Sequence, residues 1–118
     1  MAESTERAAL TEAVYYILLS LYKPMHGYGI MQNTKEISKG RVSLGAGTLY
    51  GAINTLLEKG WIKPIPNEED SRKKDYQITE LGKETVNAEI LRLEELIRNG
   101  KKITGVNSNE AYCKEGIL

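Results

Sequence analysis

Two groups of residues in this sequence carry side chains suited to gripping a polyanion or the edge of a base. On a stretch with helical spacing, Thr48, Tyr50 and Asn54 stand among Gly47, Gly51 and Glu58. An asparagine amide can donate to and accept from an adenine edge at once, and threonine or tyrosine hydroxyls can reach phosphates or bases. Further on, Arg72, Lys73 and Lys74 stand together beside the acidic run Glu68, Glu69 and Asp70. A basic triplet on a projecting ribbon can straddle a nucleic-acid backbone or enter a minor groove. Either group alone also describes an ordinary solvated surface, so the weight lies in their combination.

Catalytic chemistry has far less to work with. His26 is the sole histidine and sits in an HGYG turn, where capping or a structural hydrogen bond is its natural job. Cys113 is the sole cysteine, which excludes an internal disulfide framework and a multi-cysteine zinc site and fits a reducing, cytoplasmic location. No phosphate-cradling glycine loop or metal-ligand cluster appears, so we expect no catalytic residues, no metal and no cofactor.

Elements must hold those two groups in place. With 118 residues, 41% hydrophobic and 27% charged, the chain has the makings of one small globular domain. The run Ala8 to Tyr22 reads as a helix with Leu10, Val14, Ile17 and Leu21 on one face and Tyr15, Tyr16, Leu18, Leu19 and Tyr22 around the others. A helix apolar all round is expected to be buried all round, partly by a partner subunit. Its longest nearly apolar stretch, Ala13 to Tyr22, is too short to span a bilayer, and Glu3, Glu6 and Arg7 at the start are unlike a signal peptide. We therefore expect a protein with no membrane partner.

A second helix is expected over Gly27 to Lys39, with Ile30, Met31 and Ile37 inward and Gly40 as its stop. A polar connector leads to a third, Ala46 to Lys59, with Leu49, Ala52, Ile53, Leu56 and Leu57 on one stripe and Gly60 behind it. Two short strands, Trp61 to Ile65 and Lys74 to Thr79, make a hairpin with a charged tip; Pro64 and Pro66 suit an edge. Thr79 can cap a last helix over Glu80 to Asn99, closed by Gly100. Val86, Ile90, Leu93 and Ile97 form a short heptad seam on it, suited to a partner's equivalent helix.

The expected fold is therefore mainly α with a small β-hairpin, a winged helix-turn-helix over residues 1–79 with a dimerisation helix over 80–103 and a loose tail over 104–118. The Ala46 to Lys59 helix would be the reading helix. Two glycines on its outer face cost helix propensity, which close approach of another surface such as a DNA groove would justify, with plain tolerance as the equal alternative. Overall charge is zero, but Lys23 to Lys83 carries ten basic and seven acidic residues, a net of +3, while Met1 to Tyr22 and Glu84 to Arg98 are each −2. The block that would meet DNA is the positive part of the chain.

These same segments resemble the PadR-like transcriptional regulators: Ala13 to Gly29 with its HGYGI, GTLYGAINTLLEKGWI from Gly47 to Ile62, and SRKKDYQITELG from Ser71 to Gly82. The resemblance covers about residues 8 to 103. It implies a winged-helix homodimer of the short subfamily that represses transcription from double-stranded DNA, and it carries DNA-contacting positions over to Thr48, Tyr50, Asn54, Arg72, Lys73 and Lys74. Members often have an arginine where Thr55 stands and a glutamate where Leu57 stands, departures that put the operator sequence in doubt. The resemblance also implies a small aromatic or phenolic effector. Some short members stack flat aromatic molecules on a tryptophan of the last helix, which has none here. Trp61 reads instead as core or wing support, and Tyr15 and Tyr16 are the candidate pocket residues, with buried packing as their alternative role. The competing reading from another class is a protein-interaction module that keeps the winged-helix shape without reading DNA.

Overall fold

A computed structural model of the chain describes residues 9–67, 69–70 and 72–107; Cys113 and most of the expected tail lie outside them, as do Glu68 and Ser71. It contains α1 (Glu12–Ser20), β1 (Met25–His26), α2 (Gly27–Ile37), α3 (Ala46–Glu58), β2 (Ile62–Pro66), β3 (Lys74–Ile78) and α4 (Glu80–Thr104). Ile17, Leu18 and Leu21 of the α1 segment, Ile30 of α2, Leu49, Ile53 and Leu56 of α3, Ile62, Tyr76 and Ile78 of the hairpin and Val86 of α4 close one core. The architecture is mainly helical with a three-stranded antiparallel sheet, as expected except for the third strand.

That third strand is β1. Met25 pairs with Tyr76 and His26 with Asp75, so β3 lies between β1 and β2. Two residues carry no alternation that periodicity can detect, which is why the segment reads as a helix break. The expected edge position of Pro64 and Pro66 holds, since β2 is an outer strand. The Thr79 N–H donates to the Trp61 carbonyl, so alternation along the ladder turns both prolines away from β3, where their missing N–H costs nothing.

The helices differ from expectation mostly at their ends. Thr11 caps α1 by accepting from the Val14 N–H at 3.1 Å, so the helix begins at Glu12 and not Ala8. This chain alone covers its envelope only in part: Val14, Tyr15, Tyr16 and Leu19 are half-buried and Tyr22 is exposed. In α2, Ile30 is buried and Met31 half-buried, but Ile37 is exposed at the last turn, contrary to its inward assignment. The chain leaves α2 through Lys39 and Gly40, both at positive φ. Ser38 locks that exit, donating to the Thr34 carbonyl and accepting from the Val42 N–H. Asn33 ties α2 to α1 by donating to the Ser20 hydroxyl at 2.8 Å.

At the other end of the molecule, Thr79 caps α4 through the Gly82 N–H, as its position predicts. A Cβ on Gly82 would collide with the Trp61 carbonyl, so only glycine lets this turn pack beneath the hairpin. Gly100 does not end the helix. α4 continues to Thr104 and stops where Gly105 takes φ 74°, because a glycine with no demand for positive φ is tolerated inside a helix. Among the described residues no helix is long and apolar enough to cross a membrane.

Candidate nucleic-acid interface

α3 divides cleanly into two faces. Leu49, Ile53 and Leu56 are buried to 1% exposure or less, while Gly47, Thr48, Tyr50, Gly51, Asn54 and Glu58 are exposed. Among the described residues nothing lies within 4 Å of where a Cβ on Gly45, Gly47 or Gly51 would be, so no contact there requires glycine. The helix starts at Gly45 without a side-chain cap, leaving its first N–H groups open to an outside acceptor.

Thr48 and Asn54 project from this face with no partner among the described residues. Tyr50 is different. It is 45% exposed, yet its ring lies over Gly27, and a Cβ there would collide with the Tyr50 hydroxyl. The glycine of the HGYG turn and the tyrosine of the GTLY segment therefore meet in space, with the ring filling the room that the missing side chain leaves. Tyr50 also faces Tyr76 of β3, whose hydroxyl is held above its ordinary pKa first by burial and then by Tyr50. Thr55 donates its hydroxyl back to the Gly51 carbonyl at 3.2 Å.

The hairpin tip is tied by side chains. Asn67 accepts from the Glu69 and Asp70 N–H groups and donates to Asp75. Asp70 in turn accepts from the Arg72 backbone N–H at 3.0 Å and from its Nε at 3.2 Å. The Arg72 contacts hold the Asp70 carboxyl below its usual range. Arg72, Lys73 and Lys74 are all exposed, Arg72 with its direction set by Asp70. Sequence reasoning treated the acidic run as mere neighbours of the basic triplet; the missed signal is the Asx-turn pattern at Asn67, which orders such a tip.

The expected partner-facing residues are split. Val86 is buried, Ile90 and Leu93 half-buried and Ile97 56% exposed. Between them Glu89, only 5% exposed, accepts from Arg92 at 2.7 Å and from the Leu10 N–H, and the Arg92 contact holds its pKa down against the opposing effect of burial. Tyr15 and Tyr16 sit 5.8 Å apart on α1; burial, then the Glu89 charge, raises the pKa of Tyr15, while Tyr16 lies beside the Arg41–Glu12 ion pair. A cavity of about 680 Å³ opens elsewhere, between α1, α3 and α4, lined by Leu10, Val14, Leu56, Trp61, Leu81 and Ala88 among others. Trp61 is half-buried there against the core, with the Lys59 ammonium 5.2 Å from its ring.

Comparison with known proteins agrees with this geometry. A probable transcriptional regulator from Pseudomonas aeruginosa superposes with a TM-score of 0.69 at 19% identity, covering 92% of this chain and 76% of that one. MarR from E. coli superposes with a TM-score of 0.65 at 20% identity, over the same shares. These likenesses show the winged-helix fold. A curated relative, an uncharacterized 37.1 kDa protein in transposon TN4556 of Streptomyces fradiae, is 36% identical over 66 residues, 56% of this chain and 18% of its own length. This chain thus spans about a fifth of that relative. Residues 16–88, from the middle of α1 through α3 and the hairpin into α4, match the PadR-like transcriptional regulator model, and the chain belongs to that family.

Proposed function

We propose that the chain acts as a homodimeric transcriptional repressor on an inverted-repeat operator, released by a small-molecule effector. The observation that carries this reading is the composition of the outward surface: a reading helix whose exposed face is bare glycine backbone flanked by Thr48, Tyr50 and Asn54, beside a wing bearing Arg72, Lys73 and Lys74. Bare backbone permits close approach to a groove, Asn54 and Thr48 supply base-edge or phosphate bonds, Tyr50 braces the helix while offering its hydroxyl, and the wing cations meet the backbone. Dimerisation is supported by the second half of α4, where Leu96, Ile97 and Ile103 stand exposed with Leu93 half-buried beside them. Two copies would present two reading helices to half-sites one helical turn apart, or a multiple of that. The candidate effector is a small aromatic or phenolic molecule. Tyr15 and Tyr16 are half-buried side by side on α1, and the cavity beside Trp61 is in the size range of ligand pockets.

Fluorescence anisotropy tests this on duplex from upstream of the protein's own coding sequence against a scrambled duplex, at two salt concentrations. The expected result is tight, salt-steep binding that prefers the upstream duplex. Replacing Arg72, Lys73 and Lys74 together by alanine should lower the log–log salt slope by roughly 2 to 3 and weaken both duplexes. Weak and equal binding, unaffected by the triple replacement, would transfer the protein to the interaction-module reading.

A further inference from the structure

The cavity of about 680 Å³ beside Trp61 has walls of two kinds. Val14 of α1, Leu56 of α3 and Leu81 and Ala88 of α4 stand on regular helices. The turn that carries Trp61 is held as firmly, because the Trp61 N–H donates to the Leu56 carbonyl at 3.0 Å and the Trp61 carbonyl accepts from the Thr79 N–H at 2.9 Å. The remaining wall is residues 9–11, of which none belongs to a helix or strand. Ala9 and Thr11 line the cavity and are exposed as well, so a single thickness of backbone separates the cavity from solvent there.

Leu10 holds this strap in two ways. Its side chain packs half-buried against the core, and its N–H donates to the Glu89 carboxylate of α4. Arg92 grips both oxygens of that carboxylate, Nε to Oε1 at 2.9 Å and a terminal nitrogen to Oε2 at 2.7 Å, so Glu89 is aimed before the strap meets it. Thr11 is fixed to α1 instead, where its hydroxyl accepts from the Val14 N–H and its carbonyl from the Tyr15 N–H at 3.0 Å. The strap therefore hinges between Leu10 and Thr11. When the Leu10 N–H leaves Glu89, the carboxylate keeps Arg92 and the freed N–H meets water, so opening strands no buried charge. A segment held by so little belongs to the low-cost end of local opening.

We infer that residues 9–11 are a gate on the cavity beside Trp61, with the Leu10 side chain as its plug and Glu89 as its latch. The use of the gate, admitting a small apolar molecule to the Trp61 ring, rests on the effector reading above; its opening and closing do not.

Trp61 is the sole tryptophan, so its fluorescence reports on the cavity without a label. Acrylamide quenching of Trp61 follows access to the cavity, and amide hydrogen exchange at Leu10 by NMR follows the latch, both on the full chain with no DNA or effector present. Glu89→Gln replaces a charged acceptor by a neutral one and should speed Leu10 exchange about fivefold to tenfold. It should also raise the Trp61 quenching constant roughly twofold, because a strap that opens more often exposes the ring more often. Leu10→Ala removes the plug, leaves Glu89 and Arg92 intact and should raise both readouts too, so the gate stays testable if Glu89→Gln does not fold. Ile53→Ala loosens the core outside the cavity lining and should change neither while the protein is fully folded. Faster Leu10 exchange with unchanged quenching refutes the gate, and unchanged exchange in Glu89→Gln refutes the latch. An equal rise in quenching in Ile53→Ala also refutes the gate, since that is general loosening. Failure of DNA binding or effector release would leave these readouts where they are, so the two readings fail separately.

Discussion

The first half of α4 buries Gly82, Val86 and Glu89 against the hairpin and α1, whereas its second half holds Leu96, Ile97 and Ile103 in solvent, the last at 83% exposure. The repeat Val86, Ile90, Leu93 and Ile97 runs through both halves, with Leu96 and Ile103 to one side of it. The difference is only in what this chain can supply: its core reaches as far as Ile90, with Leu93 half-buried beyond it. Periodicity thus records that a face is to be covered, and says nothing of whose surface covers it. An isolated stretch of helix this long is marginal in water, so a partner that buries the stripe would also hold the helix together.

Damage to the two regions should read out differently. Ile53→Ala, in the fully enclosed core, is expected to cost about 2–5 kcal/mol by urea denaturation, since the cavity it leaves is lined on every side. The pair Leu93→Asp and Ile97→Asp should leave the monomer fold recognisable by circular dichroism but halve the mass seen by light scattering at micromolar concentration. A wild-type protein already at the mass of one chain would break the comparison, because the exposed half would then have no partner to lose.

The boundary between the halves is sharpened by Glu89. Replacing it by glutamine removes the charge and one of the two acceptor oxygens that Arg92 and the Leu10 N–H share, and should cost about 1–3 kcal/mol at neutral pH. The folded pKa of Glu89 is depressed below its ordinary 4.5, so its stabilisation is complete above about that pH and fades as pH falls through the lower folded value. The stability gap between wild type and Glu89→Gln, followed by denaturation from pH 7 to pH 3, should therefore narrow toward acid. A gap that stays constant would mean the carboxylate charge contributes nothing.

The smallest effect belongs to the outward face of α3. Gly51→Ala meets open space and should stabilise the fold by about 0.5–1 kcal/mol through helix propensity. The same change should weaken DNA binding if that bare backbone approaches a groove, so thermal melting and anisotropy would move in opposite directions. Stabilisation with full DNA affinity would reduce Gly51 to a tolerated residue.

Much of the fold was legible because its signals are local. The stripe Leu49, Ile53, Leu56, the stop at Gly60 with φ 76°, and the Thr79 cap all depend on neighbours within a turn or so, and each stands where its sequence placed it. Helix ends were less legible: Gly100 and Gly105 look alike as letters, and only the backbone path makes one a helix residue and the other a cap. β1 was invisible because two residues become a strand only when Tyr76 and Asp75 lie alongside. For the candidate site, residue types alone singled out Thr48, Asn54 and the wing cations. Neither the Tyr50–Gly27 contact nor the Asp70 hold on Arg72 follows from residue types.

The amino-acid sequence by itself therefore determined the order of the helices and the hairpin, the inward face of α3 and the segregation of positive charge, all of which depend on spacing along the chain. Tertiary structure alone decided which glycine is filled by a tyrosine from another helix and which half of the α4 stripe finds cover. Contacts between residues distant in sequence exist only once the chain has closed on itself, and no local pattern encodes them.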